Sequence, residues 1–255
     1  MRFASLGSGS QGNALIVEAG RTRLMLDCGF GIGECVSRLA RLGLEPTDLA
    51  AIIVTHEHDD HIGGVARFAR KYELPVYLTY GTLTALNGER GAVAQITIID
   101  SHTPFAIGDI EVRPFPVPHD AREPAQYVFS GSSGTLGVLT DTGCSTPHIA
   151  EMLSGLSALV LEFNHDAALL ANGTYPPALK RRIAGRLGHL ANDAAAQLLA
   201  GLDLSRLQHL IAAHLSQQNN TPDLARAAII QAIGCAPEWI GIATQSDGFA
   251  WRTIA

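Results

Sequence analysis

Short apolar stretches separated by glycine-rich or polar turns run from one end of the chain to the other. Alternation and close-set turn residues predict strands over 3–6, 14–17 and 23–26, joined by tight turns at 7–13 and 18–21. Apolar residues at helical spacing over 33–42, closed by Gly43, predict a helix, and 49–54 reads as a buried strand. Helices are expected over 62–72 and 82–87, and strands over 74–78 and 95–100. A hairpin over 104–116 turns at Gly108-Asp109, and another pairs 126–130 with 135–140 across Gly131-Ser132-Ser133-Gly134. Thr146 as N-cap before Pro147 starts a helix over 147–153. Then follow a strand over 157–161, helices over 176–187 and 194–202 with Asn192 as N-cap, and a strand over 207–213. A helix starts at Thr221-Pro222, and a last hairpin turns at Asp247-Gly248. Each half of the chain is a set of strands followed by helices, with no low-complexity linker between. That pattern predicts one α+β domain over 1–255, built from two packed sheets with helices outside.

Composition narrows the class. With 47% hydrophobic and 16% charged residues in 255, the chain has the makings of a sizeable core and not of disorder. No apolar run approaches the roughly 20 residues of a membrane helix, and the N-terminus lacks a secretory h-region, so no membrane and a cytoplasmic location are expected. Cys28, Cys35, Cys144 and Cys235 show no paired spacing, which fits reduced thiols. Cys28 and Cys144 stand beside Asp-containing turns, either buried as small hydrophobes or lining a site. A net charge of −6 excludes a protein that coats nucleic acid through a broad basic face. It leaves room for an enzyme that takes a strand end into a metal-lined cleft, where the cations are supplied by the metals.

The chemistry concentrates in Thr55-His56-Glu57-His58-Asp59-Asp60-His61, directly after the apolar run 49–54. On extended backbone His56 and His58 point the same way, and after the chain turns Asp60 and His61 face a second point. Imidazole and carboxylate without thiolate favour zinc, with manganese or iron as alternatives. The segment His56-Glu57-His58-Asp59-Asp60-His61 matches the HxHxDH signature, and the chain in this respect resembles the metallo-β-lactamase fold superfamily of mostly dinuclear metallohydrolases. The resemblance implies a four-layer αββα sandwich. It also implies that Asp27, ending the strand 23–26, supports the ligand loop by hydrogen bonding. His119, held between Pro118 and Asp120, becomes the third ligand of the first metal, and Asp141 the carboxylate shared by both. The implied set is His56, His58 and His119 on one ion, Asp60, His61 and His214 on the other, with Asp141 between. That accounts for five of ten histidines. His102, His148 and His209 are bystanders.

Two divalent ions would lower the pKa of a bridging water enough to give hydroxide near neutral pH. Asp60 is a candidate to orient that nucleophile. His165 and His189 are candidates for protonating the leaving group, or for binding substrate, or for a structural bond in a turn.

A narrower resemblance concerns the substrate. Ser8-Gly9-Ser10-Gln11-Gly12-Asn13, Glu162-Phe163-Asn164-His165-Asp166, Gly188-His189-Leu190-Ala191-Asn192 and His214-Leu215-Ser216-Gln217-Gln218-Asn219-Asn220 together look like the YycJ/WalJ group of bacterial proteins. Membership would imply 5′ to 3′ degradation of DNA or a related phosphodiester activity. The chain has Ala191 and Phe163 where that group usually has serine. A nucleic acid end or a small phosphodiester is the expected partner, with Ser8, Ser10, Asn13, Asn164 and Asn192 as substrate-binding candidates. The Gly/Ser-rich loop at 7–13 reads either as a tight connection or as a nest of backbone N–H groups for a phosphate. Lys180-Arg181-Arg182, the single basic run, is explained equally by a solvated helix face. Thioester or lactone hydrolysis, as in glyoxalase-II-like relatives, would use every metal ligand too. A non-enzymatic metal-binding module is the third reading.

Overall fold

The structure is a computed structural model, which describes residues 1–85 and 95–255. Strands β1 (Arg2–Gly7), β2 (Ala14–Ala19) and β3 (Thr22–Leu26) form an antiparallel meander. Strands β4 (Ala51–Ile53), β5 (Val76–Thr79) and β6 (Ile96–Ile99) then add in parallel. The second sheet repeats the plan. Strands β7 (Phe105–Ile107), β8 (Ile110–Pro116), β9 (Ala125–Gly131) and β10 (Gly134–Leu139) are antiparallel. Strands β11 (Ala158–Glu162), β12 (His209–Ala213) and β13 (Ile240–Ile242) follow in parallel. Strand β14 (Phe249–Thr253) returns to pair antiparallel with β1, giving two seven-stranded mixed sheets.

Helices α1 (Ile32–Arg41) and α3 (Val65–Tyr72) cover the first sheet, with the single-turn α2 (Asp59–Ile62) ahead of α3 and α4 (Tyr80–Ala85) after β5. On the second sheet lie α5 (Pro147–Leu153), α8 (Asn192–Ala200) and α9 (Pro222–Ile233), with α6 (Ala167–Asn172) and α7 (Pro177–Ile183) short between them. Period-two alternation sorts strand residues into separate cores. Phe3, Leu15, Val17, Leu24, Tyr127, Phe129 and Val160 meet between the sheets. Leu6, Ile16 and Met25 face α1 and α3. Phe115, Leu159 and Leu161 face α5, α8 and α9. Both faces of each central strand are covered, so the strands read as nearly continuous apolar runs. The result is the expected αββα sandwich. The fully buried Tyr127 spans the middle layer, its hydroxyl donating to the Val54 carbonyl at 2.7 Å just ahead of the histidine-rich loop.

Several expected elements differ. The helix over 62–72 breaks at Gly63-Gly64, where the Gly64 N–H leaves the helical ladder to donate to the Cys28 carbonyl at 2.8 Å. The helix over 176–187 stops at Ile183, and the chain folds back so that His189 N–H donates to the Ile183 carbonyl at 2.9 Å. Asn192 does not cap α8; Ala191 holds that position, and the Asn192 amide pairs with the Asn220 amide at 2.9 Å. The helix expected over 82–87 forms over Tyr80–Ala85, and Leu86 and Asn87 lie outside the described residues. The last hairpin forms only as a tight turn, in which Thr244 and Gly248 exchange backbone hydrogen bonds at 3.2 and 3.0 Å. Strands β13 and β14 join different sheets, and residues 243–248 cross between them.

Candidate metal centre

In both sheets the functional side chains stand at the carboxyl ends of the parallel strands, the edge where open α/β sheets gather their ligands. Asp27 follows β3 and the histidine loop follows β4. Asp141 follows β10, Glu162 ends β11, and His214 follows β12. Three of these residues turn the chain sharply: Asp27 (φ 60°), Asp141 (φ 52°) and His214 (φ 55°) adopt the left-handed conformation. Among the described residues only one other non-glycine, Glu73 at the end of α3, does so. Such backbone costs of order 1 kcal/mol per residue and persists where surrounding contacts enforce it.

All seven expected ligands come together. His56, His58 and His119 form one donor group, and Asp60, His61 and His214 another. Asp141 joins His56 and His61 in a third and Glu162, His189 and His214 in a fourth, so it touches both sides. His119 Nε2 lies 3.2 Å from His58 Nδ1, and His61 Nε2 lies 3.4 Å from Asp60 Oδ2 and 3.0 Å from Asp141 Oδ2. His214 Nε2 lies 3.4 Å from Asp60 Oδ2.

The opposite ring nitrogens are committed elsewhere. His56 Nδ1 donates to Thr55 Oγ1 at 3.0 Å, whose hydroxyl donates to Asp27 Oδ2 at 2.9 Å. The same Oδ2 accepts from His61 Nδ1 at 2.8 Å, so Asp27 orients two imidazoles, as the resemblance implied. His119 Nδ1 donates to the Gly188 carbonyl at 3.1 Å. On the second sheet, Glu162 Oε1 accepts from His189 Nδ1 at 2.8 Å and faces His214 Nδ1 at 3.3 Å. Its Oε2 accepts the N–H groups of Thr142 and Leu190. Asn13 Nδ2 donates to Asp60 Oδ2 at 3.1 Å.

Metal fits this arrangement. His56 Nε2 and Asp141 Oδ2 are buried with no hydrogen-bond partner, an expensive condition unless a cation completes them. The 3.0 Å approach of His61 Nε2 to Asp141 Oδ2 lacks hydrogen-bond alignment. The electrostatics agree. Burial lowers His56 well below the usual imidazole value, a lowering reinforced by His61. Burial also works against charge on His214, yet Asp141, Asp60 and Glu162 push its pKa up to about 10. Burial opposes the charge on Asp60 too, but His61 and His214 hold it below the usual range. The pocket is therefore rich in anionic charge seeking a cation.

A family model described as a beta-lactamase superfamily domain matches residues 22–214, from the start of β3 to the last of the candidate ligands. The chain belongs to the beta-lactamase superfamily. An exodeoxyribonuclease named YycJ from Bacillus anthracis is 37% identical over 235 residues, 91% of this chain and 89% of that protein. An exodeoxyribonuclease named WalJ from Streptococcus pneumoniae is 34% identical over 245 residues, 94% of this chain and 91% of the relative. Among solved structures, the metallo-beta-lactamase fold protein YhfI from Bacillus subtilis superposes with a TM-score of 0.76 at 16% identity, covering 99% of both chains, which shows the shared fold. Divalent metal ions suit a superfamily member with this cluster.

Four of the candidate ligands, His58, Asp60, Asp141 and His214, floor a cleft of about 380 Å³ whose walls include Ser10, Asn164, Tyr175, Arg182 and His189. Of the other expected site residues, Ser10, Asn164 and His189 reach this cleft. Asn164 also ties its amide to the His214 carbonyl at 3.0 Å. Ser8 is buried and accepts the His214 N–H at 2.9 Å. Asn13 sits behind Asp60, and Asn192 is buried in its pair with Asn220. His165 is 2% exposed, is absent from the cleft walls, and has Nδ1 against Asn164 Oδ1 at 3.3 Å. The nest reading of the glycine-rich loop is corrected. The N–H groups of Ser8, Gly9, Gln11, Gly12 and Asn13 already donate to Thr244, Asn13, Gln245, Gly9 and Asp60, which makes the loop a tight connection. Cys28 is fully buried and Cys144 only partly so; neither lines the cleft.

Three residues at the site have no individual role in the sequence pattern. Glu162 was visible as the acid ending an apolar strand, the same signal that marks Asp27. Arg182 belongs to the basic run, and its guanidinium pairs with Asp120 at 2.5 Å on the cleft rim. Tyr175 carried no signal.

Proposed function

We propose that this chain is a metal-dependent phosphodiesterase acting on DNA ends, an exodeoxyribonuclease, with residues 1–255 as one domain. The observation that carries the reading is the pair of donor groups joined by Asp141 at the floor of a cleft that also presents Arg182. The full-length likeness to two proteins named exodeoxyribonucleases supports the choice of DNA. His56, His58 and His119 would hold one divalent ion and Asp60, His61 and His214 the other, with Asp141 shared. Zinc is the first candidate, and manganese or iron the alternatives. Bound there, the ions supply an activated water and neutralise charge developing on the phosphate.

The protein's own groups do the remaining work. Arg182, steadied by Asp120, offers a planar guanidinium to a non-bridging phosphate oxygen. His189 faces the cleft with 22% of its side chain exposed. Burial opposes its charging, but Glu162 raises its pKa, so the ring keeps a proton closer to neutral pH. That makes His189, in preference to the buried His165, the group to protonate the departing sugar oxygen. No helix among the described residues is long and apolar enough to cross a membrane.

The test is hydrolysis of bis(p-nitrophenyl) phosphate beside a thioester and a β-lactam, using metal-stripped protein refilled with zinc or manganese. Turnover of the phosphodiester alone, followed by shortening of end-labelled DNA, is the expected result. Turnover of the thioester or lactam alone would overturn the reading.

A further inference from the structure

A second cavity, of about 630 Å³, adjoins the metal cleft, and Ser216 lines both. One wall is the segment crossing from β13 to β14, with its tight turn closed between Thr244 and Gly248. Another is the glycine-rich loop after β1. Between them the cavity combines apolar surface from Leu215, Pro222, Ile242 and Ala243 with the side-chain amides of Gln11 and Gln217. Its size falls in the range of small-molecule pockets, roughly 300–1,000 Å³.

The walls are fixed before any ligand arrives. Gln245 accepts the Gln11 N–H at 2.8 Å and donates to the Gly12 carbonyl at 2.9 Å, spending both ends of its amide on the loop. Arg38 donates to the Leu6, Gln245 and Ser246 carbonyls and pairs with Glu34 at 2.7 Å, so the cavity's charged groups offset each other. Asn220 is fully engaged by Asn192, Phe163 and Thr221. Gln11 and Gln217 differ. Gln11 Nε2 donates to Gln217 Oε1 at 3.3 Å, and both side chains are exposed. The Gln11 carbonyl and the Gln217 amino group remain open, presenting an acceptor beside donors.

An offset-charge, partly apolar pocket edged by an amide acceptor and donor suits a nucleobase and does not suit a phosphate. We propose that this cavity binds the base of a nucleotide flanking the scissile phosphate, with the strand passing over Ser216 from the metal cleft. The proposal rests on the phosphodiesterase reading above. It assigns recognition of DNA to two walls that hold no metal ligand and no acid or base.

The test compares fluorescence anisotropy of a short labelled single strand on metal-free wild type and on the Gln11→Ala/Gln217→Ala double variant, using an intact strand and one with abasic positions near its end. Wild type should lose about tenfold in affinity on going to the abasic strand, and the double variant should bind both strands equally weakly. Turnover of bis(p-nitrophenyl) phosphate, which has no base, should be the same in both proteins, and Gln217→Trp, which crowds the mouth, should raise KM for DNA selectively. Equal binding of intact and abasic strands by wild type would overturn the base pocket, as would an unchanged intact-strand affinity in the double variant. Hydrolysis of DNA by wild type reports separately on the phosphodiesterase reading. If the base effect appears in binding while DNA is never cut, that reading fails and the pocket stands.

Discussion

Asp27, after the first parallel strand of one sheet, and Glu162, at the end of the second parallel strand of the other, are both buried carboxylates with imidazoles hydrogen-bonded to them. Their electrostatic balances run in opposite directions. Burial wins at Asp27 and raises its pKa despite His61 and the two bonds from Thr55. At Glu162 burial is overcome by His189 and His214, and its pKa falls to about 2. The difference lies in the number of imidazoles served directly. Asp27 reaches one itself and a second through Thr55, whereas Glu162 faces two and also fastens two backbone N–H groups. The first sheet thus holds one imidazole directly and one by relay, and the second holds two directly, one of them the cleft-facing His189.

The largest effect should come from the residue common to both sides. Asp141→Ala should reduce phosphodiester turnover to background and lower bound metal, measured by steady-state kinetics and elemental analysis of the dialysed protein. Retention of full metal content would mean the two donor groups do not depend on Asp141.

Next comes the group present on one side only. His189→Ala should slow DNA hydrolysis by roughly 10²–10⁴-fold, the usual worth of general acid catalysis. Turnover of bis(p-nitrophenyl) phosphate, whose leaving group departs readily without a proton, should fall far less. Equal losses on both substrates at full metal content would remove His189 from the proton-donor role.

The two supports can then be set against each other directly. Asp27→Asn and Glu162→Gln should each weaken metal binding by about 10–100-fold, with Glu162→Gln toward the upper end because it releases two imidazoles. Competition with a chromogenic chelator reads this out, and the reverse order would contradict the comparison.

The smallest effect lies away from the site, at Glu18. Burial raises its pKa, but hydrogen bonds from Arg2 and Arg23 lower it overall, the same sign as at Glu162. A lowered folded-state pKa means its stabilisation is complete above the ordinary value of 4.5 and is lost as pH falls below it. Glu18→Gln should therefore cost metal-free protein on the order of 1 kcal/mol at neutral pH and progressively less in acid, by urea denaturation. A cost that grows as pH falls would reverse the assigned sign.

The two halves were not equally readable. The ligand loop after β4 is contiguous, so His56, His58, Asp60 and His61 declared themselves by spacing. The ligands and supports of the second sheet arrive singly from separate strand ends, and only the family resemblance drew His119, Asp141 and His214 together. Glu162 stood out only as part of a polar segment and had no role of its own, because its meaning depends on imidazoles 27 and 52 residues further along. The glycine-rich loop looked like a phosphate nest because sequence does not show that Gln245, more than two hundred residues away, already holds its Gln11 N–H. The final hairpin was legible as a turn but not in its strand pairing, for a related reason. A turn at Asp247-Gly248 between two strands looks the same whether the strands pair with each other or with opposite sheets, and tertiary packing decides.

The central claim is that both sheets together build one centre for two metal ions. Zinc titration of metal-stripped protein, followed calorimetrically and checked by elemental analysis, tests it most directly. Two equivalents per chain are predicted for wild type, with a clear loss in Asp141→Ala; a single equivalent, or none, in wild type would contradict it.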